Sequence, residues 1–287
     1  MLRPMRGMSP MDWLDMLRLS FVYGFMWRAL IVGIAVALSS SLIGSFLVLN
    51  KFSMIGHGLS HVAFAAIAIG LFTNNAPLLF TVPVVVLVSV FILKLNNTAN
   101  LQGDAAIGLT ASFSIALGTA LASMGGGFNV DLFSYLFGSI LTIRQIDVIL
   151  SIIFSFIVVG VIIFFYHDLF SMTYEEEYAR VSGVRTKRLN TLLAVLTGLT
   201  IVIGIRAIGT MLISALILFP PVIVMQISRN FKWTVWMSAV LSVVLVVLGL
   251  LTSFVFDLPS GSTIVLMSGF VFLGVTVYNG IQGLRHT

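Results

Sequence analysis

The sequence predicts an all-α protein that crosses a membrane about eight or nine times. Of its 287 residues, 59% are hydrophobic and only 9% are charged, and the mean hydropathy is +1.12. Soluble domains do not have this balance, whereas polytopic membrane proteins do. At about twenty residues per crossing, a chain of this length holds roughly eight to ten helices and leaves little for a soluble domain.

The composition also limits the chemistry. The chain contains no cysteine, which excludes disulfides and thiolate metal sites. Its net charge is +5, but the basic residues are spread along the chain, so they indicate membrane topology rather than nucleic-acid binding. The N-terminus lacks a small-residue cleavage site, so we do not expect a removed signal peptide.

We divide the chain into an N-terminal interfacial segment, 1–27, and a single transmembrane domain, 28–287. In the first segment, apolar residues such as Trp13, Leu17 and Phe21 recur near helical spacing among charged ones, which is typical of a helix lying in the membrane interface. The first span is predicted at Ala29–Leu49, where glycines and serines favour close helix packing.

The next predicted helix, Leu59–Phe72, has one histidine just before its start and another in its first turn. His57 and His61 are four residues apart and therefore share one face of a helix. Two neutral imidazoles at this spacing can ligate a divalent transition metal. The alternative is a pair of partly solvated histidines at a helix start, hydrogen-bonded to their neighbours.

The middle of the chain predicts three further spans. They are Leu78–Leu93, Ala105–Met124 and Ile146–Tyr166. The segment Asp131–Ser139 between the last two is too short and too polar to span alone, so we expect it to be re-entrant or interfacial.

The longest hydrophilic stretch, 167–190, is predicted to be a cytoplasmic loop that contains a short helix. Tyr174–Arg180 places acidic residues in the first turn and basic residues after Ala179, the order that the helix dipole favours. Gly183 would end this helix. The Lys and Arg residues that follow indicate the cytoplasmic side. An ordinary solvated loop is the alternative that charge alone favours.

The C-terminal part predicts four spans, with Pro220-Pro221 breaking the second near its end. Counting back from a cytoplasmic C-terminus gives nine crossings and an external N-terminus. The N-terminal arginines argue against that orientation, so a count of eight stays open. The four spans are Leu192–Ile205, Thr210–Ile227, Trp233–Phe256 and Ser262–Gly283.

Missing motifs exclude several functions. No lysine follows a glycine, so the chain has no phosphate-binding loop and does not hydrolyse ATP. Between His57 and His61 there is no glutamate, which excludes a His-Glu-x-x-His zinc protease. No carboxylate falls in the middle of a predicted span, so an ion-coupled secondary carrier is disfavoured and is kept only as a lesser alternative.

Four segments in order resemble the permease subunit of zinc/manganese-type metal-ion ABC importers. Met54–His61 resembles that family's Gly-Asp-x-x-Ser/Ala-His pattern, and Asp131–Ser139 resembles its Leu-Phe-Gly-Asp/Ser stretch. Glu177–Gly183 resembles its coupling helix, and Gly209–Pro221 resembles its Gly-x-Leu-Leu-x-x-Ala-Leu-Leu-x-x-Pro motif. Each motif is weak alone, but the ordered set covers nearly the whole chain after the first span.

The resemblance implies a type II ABC importer-like permease without catalysis of its own, in the cell membrane of a bacterium. Its partners would be a second copy of itself, a cytoplasmic ATP-binding subunit and an extracytoplasmic metal-binding protein. It implies no bound cofactor, because the metal is the transported substrate. The implied coupling residues are Glu175, Glu176, Glu177, Ala179 and Gly183, and those of the translocation path or a packing motif are Gly209, Ser214 and Pro220.

The resemblance also assigns His57 and His61 to the transported metal. Position 57 departs from the family pattern, which usually has aspartate there. Imidazole in place of carboxylate makes a site softer, which favours Zn²⁺ over Mn²⁺, and makes binding sensitive to pH. The alternatives are that the change abolishes binding, or that the cargo is Mn²⁺ or a metal chelate such as a siderophore or cobalamin.

Overall fold

The computed structural model describes residues 23–73, 77–98, 103–124 and 143–285, which contain helices and no strand. The predicted re-entrant segment Asp131–Ser139 and residues 1–22 lie outside these ranges. We number the helices in the described ranges in chain order: α1 Gly24–Leu49, α2 Ile55–Phe72, α3 Pro77–Thr98, α4 Gly103–Met124, α5 Gln145–Phe164, α6 Tyr166–Tyr174, α7 Glu176–Val181, α8 Thr186–Ile208, α9 Thr210–Met225, α10 Phe231–Phe256 and α11 Ser260–Arg285.

Most of the described helices have an apolar composition suited to a membrane crossing. Seven are long and apolar enough to span by length and hydropathy, namely α1, α2, α4, α5, α8, α10 and α11. Helices α3 and α9 contain shorter apolar stretches, Phe80–Lys94 and Leu212–Met225. The all-helical, polytopic architecture predicted from the sequence is therefore confirmed, with a helix count consistent with eight or nine.

Both basic loops of the C-terminal half lie on the same side of the bundle. Phe231, which begins α10, packs its ring against those of Tyr166 and Phe170 on α6, at centroid distances of 6.1 and 4.9 Å. At the C-terminal end of α1, Asn50 Nδ2 donates a 3.5 Å hydrogen bond to Thr173 Oγ1. The charge of the loops identifies this side as cytoplasmic, and α1 therefore begins on the opposite side.

Several helices extend further than the hydrophobic runs predict. Helix α1 begins at Gly24 rather than Ala29, inside the segment assigned to 1–27, and α2 begins at Ile55 rather than Leu59. Helix α8 covers Thr186–Ile208 rather than Leu192–Ile205. A helix pairs its own backbone N–H and C=O groups by hydrogen bonds. It therefore continues past the apolar residues until the unpaired groups at its end can form hydrogen bonds with water or polar side chains.

The predicted break at Pro220-Pro221 was wrong, because α9 continues through both prolines to Met225. Both prolines are buried between neighbouring helices. Proline inside a membrane helix is tolerated where packing against other helices holds the segment in place. The helix ends only where Gln226 N donates to Ile223 O at 3.2 Å.

The core is built around α1, which packs against α5, α8, α9 and α10. Small residues allow the close approaches. Gly44 lies against the backbone carbonyl of Ile217 in α9, and Gly33 lies against the Val246 side chain in α10. Ser242 Oγ in α10 donates to Ala37 O in α1 at 3.2 Å. Helices in a membrane are not driven together by the hydrophobic effect, because lipid is itself apolar. They associate through van der Waals contacts and interhelical hydrogen bonds, such as these.

We predict that Gly44→Ala destabilises the protein, because a Cβ at this position meets backbone atoms of Ile217 that cannot rotate away. The expected cost is about 1–3 kcal/mol, measured as a lower thermal midpoint in detergent. The control is Gly160→Ala on α5, where the added Cβ has no neighbour within 4 Å. Equal midpoints for the two variants would contradict the assigned packing.

Candidate functional site

The two histidines predicted to share a face are in contact. His57 Nε2 and His61 Nε2 are 3.2 Å apart, one ring donating and the other accepting. The ring planes are nearly perpendicular, at 88°, with centroids 4.6 Å apart. Both residues lie in the first two turns of α2, and His57 is exposed on the single chain while His61 is half-buried.

The pair lies near the cytoplasmic start of α2, within the length of the neighbouring apolar helices. Gly44 and Gly56 both approach Ile217 of α9, so they lie at one level. Gly44 precedes Asn50, at the cytoplasmic end of α1, by six residues, which corresponds to about 9 Å along a helix. His57 follows Gly56 directly, and His61 is about one turn, or 6 Å, further from the cytoplasm.

The spacing of the two nitrogens suits a shared metal ion. Two ligand nitrogens at 2.0–2.1 Å from a tetrahedral Zn²⁺ lie about 3.3–3.4 Å apart, close to the 3.2 Å between these Nε2 atoms. Within the described residues, no group of three or more His, Asp or Glu side chains could hold a metal. The described part of one chain therefore offers two nitrogens, those of His57 and His61, to such an ion.

Two serine hydroxyls, one on α2 beside the histidines and one on α9, are in contact. Ser60 Oγ lies 3.3 Å from Ser214 Oγ on α9 and donates to Gly56 O at 2.7 Å. With the Ser60 proton donated to Gly56 O, the contact between the hydroxyls requires Ser214 Oγ to donate to Ser60 Oγ, and Thr210 O at 3.1 Å is the competing acceptor for that proton. Sequence reasoning assigned no role to Ser60, although it directly precedes His61 in the quoted motif. The contact between the two hydroxyls, and the 3.5 Å approach of Ser60 Oγ to Thr210 O, link the histidine helix to α9.

Gly209 reverses the chain between α8 and α9. Its φ of 91° and ψ of 162° fall in a region that is essentially restricted to glycine. Helix α9 has 16 residues, a length of about 24 Å, which is less than the roughly 30 Å of a hydrocarbon core. The turn at Gly209 lies next to Ser60, whose Oγ is 3.5 Å from Thr210 O at the start of α9.

Of the three residues assigned to a path or packing motif, Gly209 and Ser214 therefore lie beside the histidine helix. Pro220 does not. It is buried on α9, six residues or about 9 Å from Ser214 toward the cytoplasm.

The predicted coupling segment forms two short helices, α6 and α7. Glu175 is the N-cap residue of α7, with an extended backbone. At the other end, Val184 N donates to Ala179 O at 3.0 Å and Gly183 N donates to Arg180 O at 3.2 Å. This pair of bonds is a Schellman motif, which requires the positive φ of 90° that Gly183 adopts. Gly183 ends the helix as the sequence predicts.

One face of α7 anchors it and another is free. Ala179 is fully buried, whereas Tyr178 and Val181 are 67% and 89% exposed. Glu177 is also exposed, and Glu176 is paired with Arg180 at 3.1 Å. Exposed apolar side chains on a cytoplasmic helix are typical of a docking surface.

An aromatic cluster connects this segment to the membrane helices. The Phe231 ring, which contacts Tyr166 and Phe170, also meets Phe46 of α1 edge-on at 5.6 Å. Burial raises the pKa of the Tyr166 phenol above its usual value, so this residue stays neutral in the cytoplasm. The cluster gives α6 a rigid apolar contact with α1 and α10.

These features coincide with those of a known family. Residues 22–279 match the ABC 3 transport family, and the chain belongs to that family. It is a membrane subunit of an ABC transporter, and the family's permeases are non-catalytic. Membership implies an ATP-binding subunit and a substrate-binding protein as partners.

Several characterised proteins are similar over nearly the whole chain. The high-affinity zinc uptake system membrane protein ZnuB of Haemophilus influenzae is 28% identical, covering 88% of this chain and 97% of its own. The manganese transport system membrane protein MntC of Listeria innocua is 26% identical, covering 91% and 93%. The solved structure of PsaBC from Streptococcus pneumoniae in complex with Fab superposes with a TM-score of 0.78 at 26% identity, covering 93% and 95%.

Proposed function

We propose that this chain is the permease subunit through which a bare divalent transition metal, Zn²⁺, enters the cytoplasm, with His57 and His61 as its ligands in the translocation path. The observation that carries the proposal is the 3.2 Å separation of the two Nε2 atoms at membrane depth. Polar side chains at that depth are costly, and they are retained where they serve a pathway. A hydrated conduit without ligands would not require two imidazoles in contact.

The donor atoms favour zinc over manganese. Imidazole nitrogen suits Zn²⁺, whereas Mn²⁺ prefers carboxylate and other oxygen ligands. The relatives are divided, since ZnuB is named for zinc and MntC for manganese. Manganese is therefore the second candidate, supported by MntC. A chelate such as a siderophore would need a wide cavity rather than two converging nitrogens.

A second copy of the chain would complete the site. Zn²⁺ takes four ligands in closed sites and three in open ones, and the described part of one chain contributes two. His57 is exposed on the single chain, so it is accessible to a partner. In a two-fold dimer the same face of α2 would meet its copy and supply four imidazoles around one ion. Such a shared site can release its ion when the two copies separate.

Coupling to ATP hydrolysis would pass through α7. Its exposed Tyr178 and Val181 would insert into a groove of the ATP-binding subunit, with the Glu175–Glu177 acids at the rim. The aromatic contacts from α6 to Phe231 and Phe46 would carry the motion of that subunit to α1 and α10. The permease would then alternate between outward- and inward-open states.

The first test replaces each histidine in the complete complex in proteoliposomes. His57→Ala and His61→Ala should each reduce ATP-dependent Zn²⁺ uptake roughly tenfold or more, because each removes half of the ligands that one chain supplies. The control is His167→Ala, an exposed histidine on α6. Uptake at the wild-type rate in both site variants would remove these residues from the path.

The second test concerns the choice of metal. His57→Asp should raise Mn²⁺ uptake relative to Zn²⁺, because a carboxylate oxygen replaces a nitrogen that manganese binds poorly. The measurement is competition between the two ions in the same proteoliposomes. A wild-type complex that already prefers Mn²⁺ would favour the manganese candidate, and an unchanged ratio in the variant would contradict a ligand role for position 57.

The third test addresses coupling. Val181→Asp should reduce co-purification of the ATP-binding subunit roughly tenfold, because a charge is placed in the centre of an apolar contact. The matched control is Arg229→Gln, which changes the net charge by the same amount in an exposed loop on the same side. Equal recovery from both variants would show that α7 is not the docking element.

A further inference from the structure

A pocket of about 530 Å³ opens between the cytoplasmic end of α3, α7 and the first turns of α8. Three basic side chains line it, namely Lys94 from α3, Arg180 from α7 and Lys187 from α8. The pocket also contains Glu176, which is already paired with Arg180 at 3.1 Å. The pocket is therefore net basic, and neither the histidine pair nor the apolar docking residues Tyr178 and Val181 line it.

One wall of this pocket is apolar and continues into the lipid-facing surface of α3. Val90 and Leu93 line the wall. On the outer side of the same helix, Leu87 is 68% exposed and Phe91 is 54% exposed. Lys94 follows these two at helical spacing and falls on the same face. A molecule in the pocket would thus contact basic groups and the hydrocarbon layer simultaneously.

We propose that this pocket binds the phosphate headgroup of an anionic phospholipid from the cytoplasmic leaflet. The phosphate would be held by the charges of Lys94, Arg180 and Lys187, and an acyl chain would lie along the apolar side of α3. Basic pockets between helices on the cytoplasmic side suit such headgroups, and each basic residue adds to the attraction. The apolar wall favours a lipid over free phosphate, which shares the charged chemistry but gains nothing from Val90 or Leu93.

The lipid would connect two elements that are separate in sequence. Arg180 belongs to α7, which carries the ATPase docking face, whereas Lys94 belongs to a membrane helix. Glu176 and Arg180 are one turn apart on a different face of α7 from Tyr178 and Val181, because successive residues are rotated by about 100°. A lipid in the pocket would therefore fasten α7 to α3 without covering the docking face. This inference does not depend on which metal is transported.

The test is native mass spectrometry of the full-length protein in detergent, titrated with phosphatidylglycerol or with phosphatidylcholine of the same acyl chains. We expect tighter binding of phosphatidylglycerol, and a loss of roughly tenfold in its affinity for the double variant Lys94→Gln/Lys187→Gln. Phosphatidylcholine binding should not change. The matched control is Arg229→Gln/Lys232→Gln, which removes the same charge from another loop on the same side.

A second double variant tests whether reduced lipid binding comes from loss of the basic charges or from loss of the folded structure. Lys94→Arg/Lys187→Arg keeps the charge and should keep phosphatidylglycerol binding, with helical circular dichroism and gel-filtration behaviour compared for all variants. Equal loss in the control pair would overturn the proposal, since the attraction would then be a general effect of charge. Displacement of bound phosphatidylglycerol by excess inorganic phosphate would also overturn it, because the pocket would then be a site for free anions.

Discussion

The close approach of α1, α2 and α9 is the constraint on which the rest of the structure depends. Gly44 and Gly56 let α9 come within contact distance of two other backbones, and Ser60 with Ser214 adds a polar contact at the same place. Because lipid supplies no hydrophobic drive between helices, this association depends on fit and on hydrogen bonds. A side chain at either glycine would move α2 and its histidines together.

This packing gives the histidine pair its properties. The pair lies on α2 with His57 exposed, while the neighbouring Ser60 contacts Ser214 of α9. The turn at Gly209 brings the start of α9 beside Ser60, on the helix that carries the histidines. If a second copy supplied the remaining ligands, as proposed above, the site would bind an ion between the two chains and could release it when they separate.

On the cytoplasmic side, aromatic packing connects the short helices to the bundle. Glu176 and Arg180 form a salt bridge within α7, and exposed pairs of this kind contribute little stability. Ring contacts among Tyr166, Phe170, Phe231 and Phe46 connect α6 to the bundle, while the basic pocket lies on another side of α7. Separate faces of one short helix can thus serve anchoring, docking and contact with the membrane.

The sequence by itself determined the membrane class, the approximate helix count, the shared face of His57 and His61 and the end of α7 at Gly183. These properties follow from hydropathy, from helical spacing and from local backbone preference, which act over a few residues. Only the tertiary structure decided that α9 continues through Pro220-Pro221 and that Ser60 contacts Ser214 near the start of α9. It also brought Lys94 near Arg180, more than eighty positions away. Such features depend on which helices become neighbours. Helices that are far apart in sequence become neighbours because their surfaces fit, and a local sequence pattern does not show this fit.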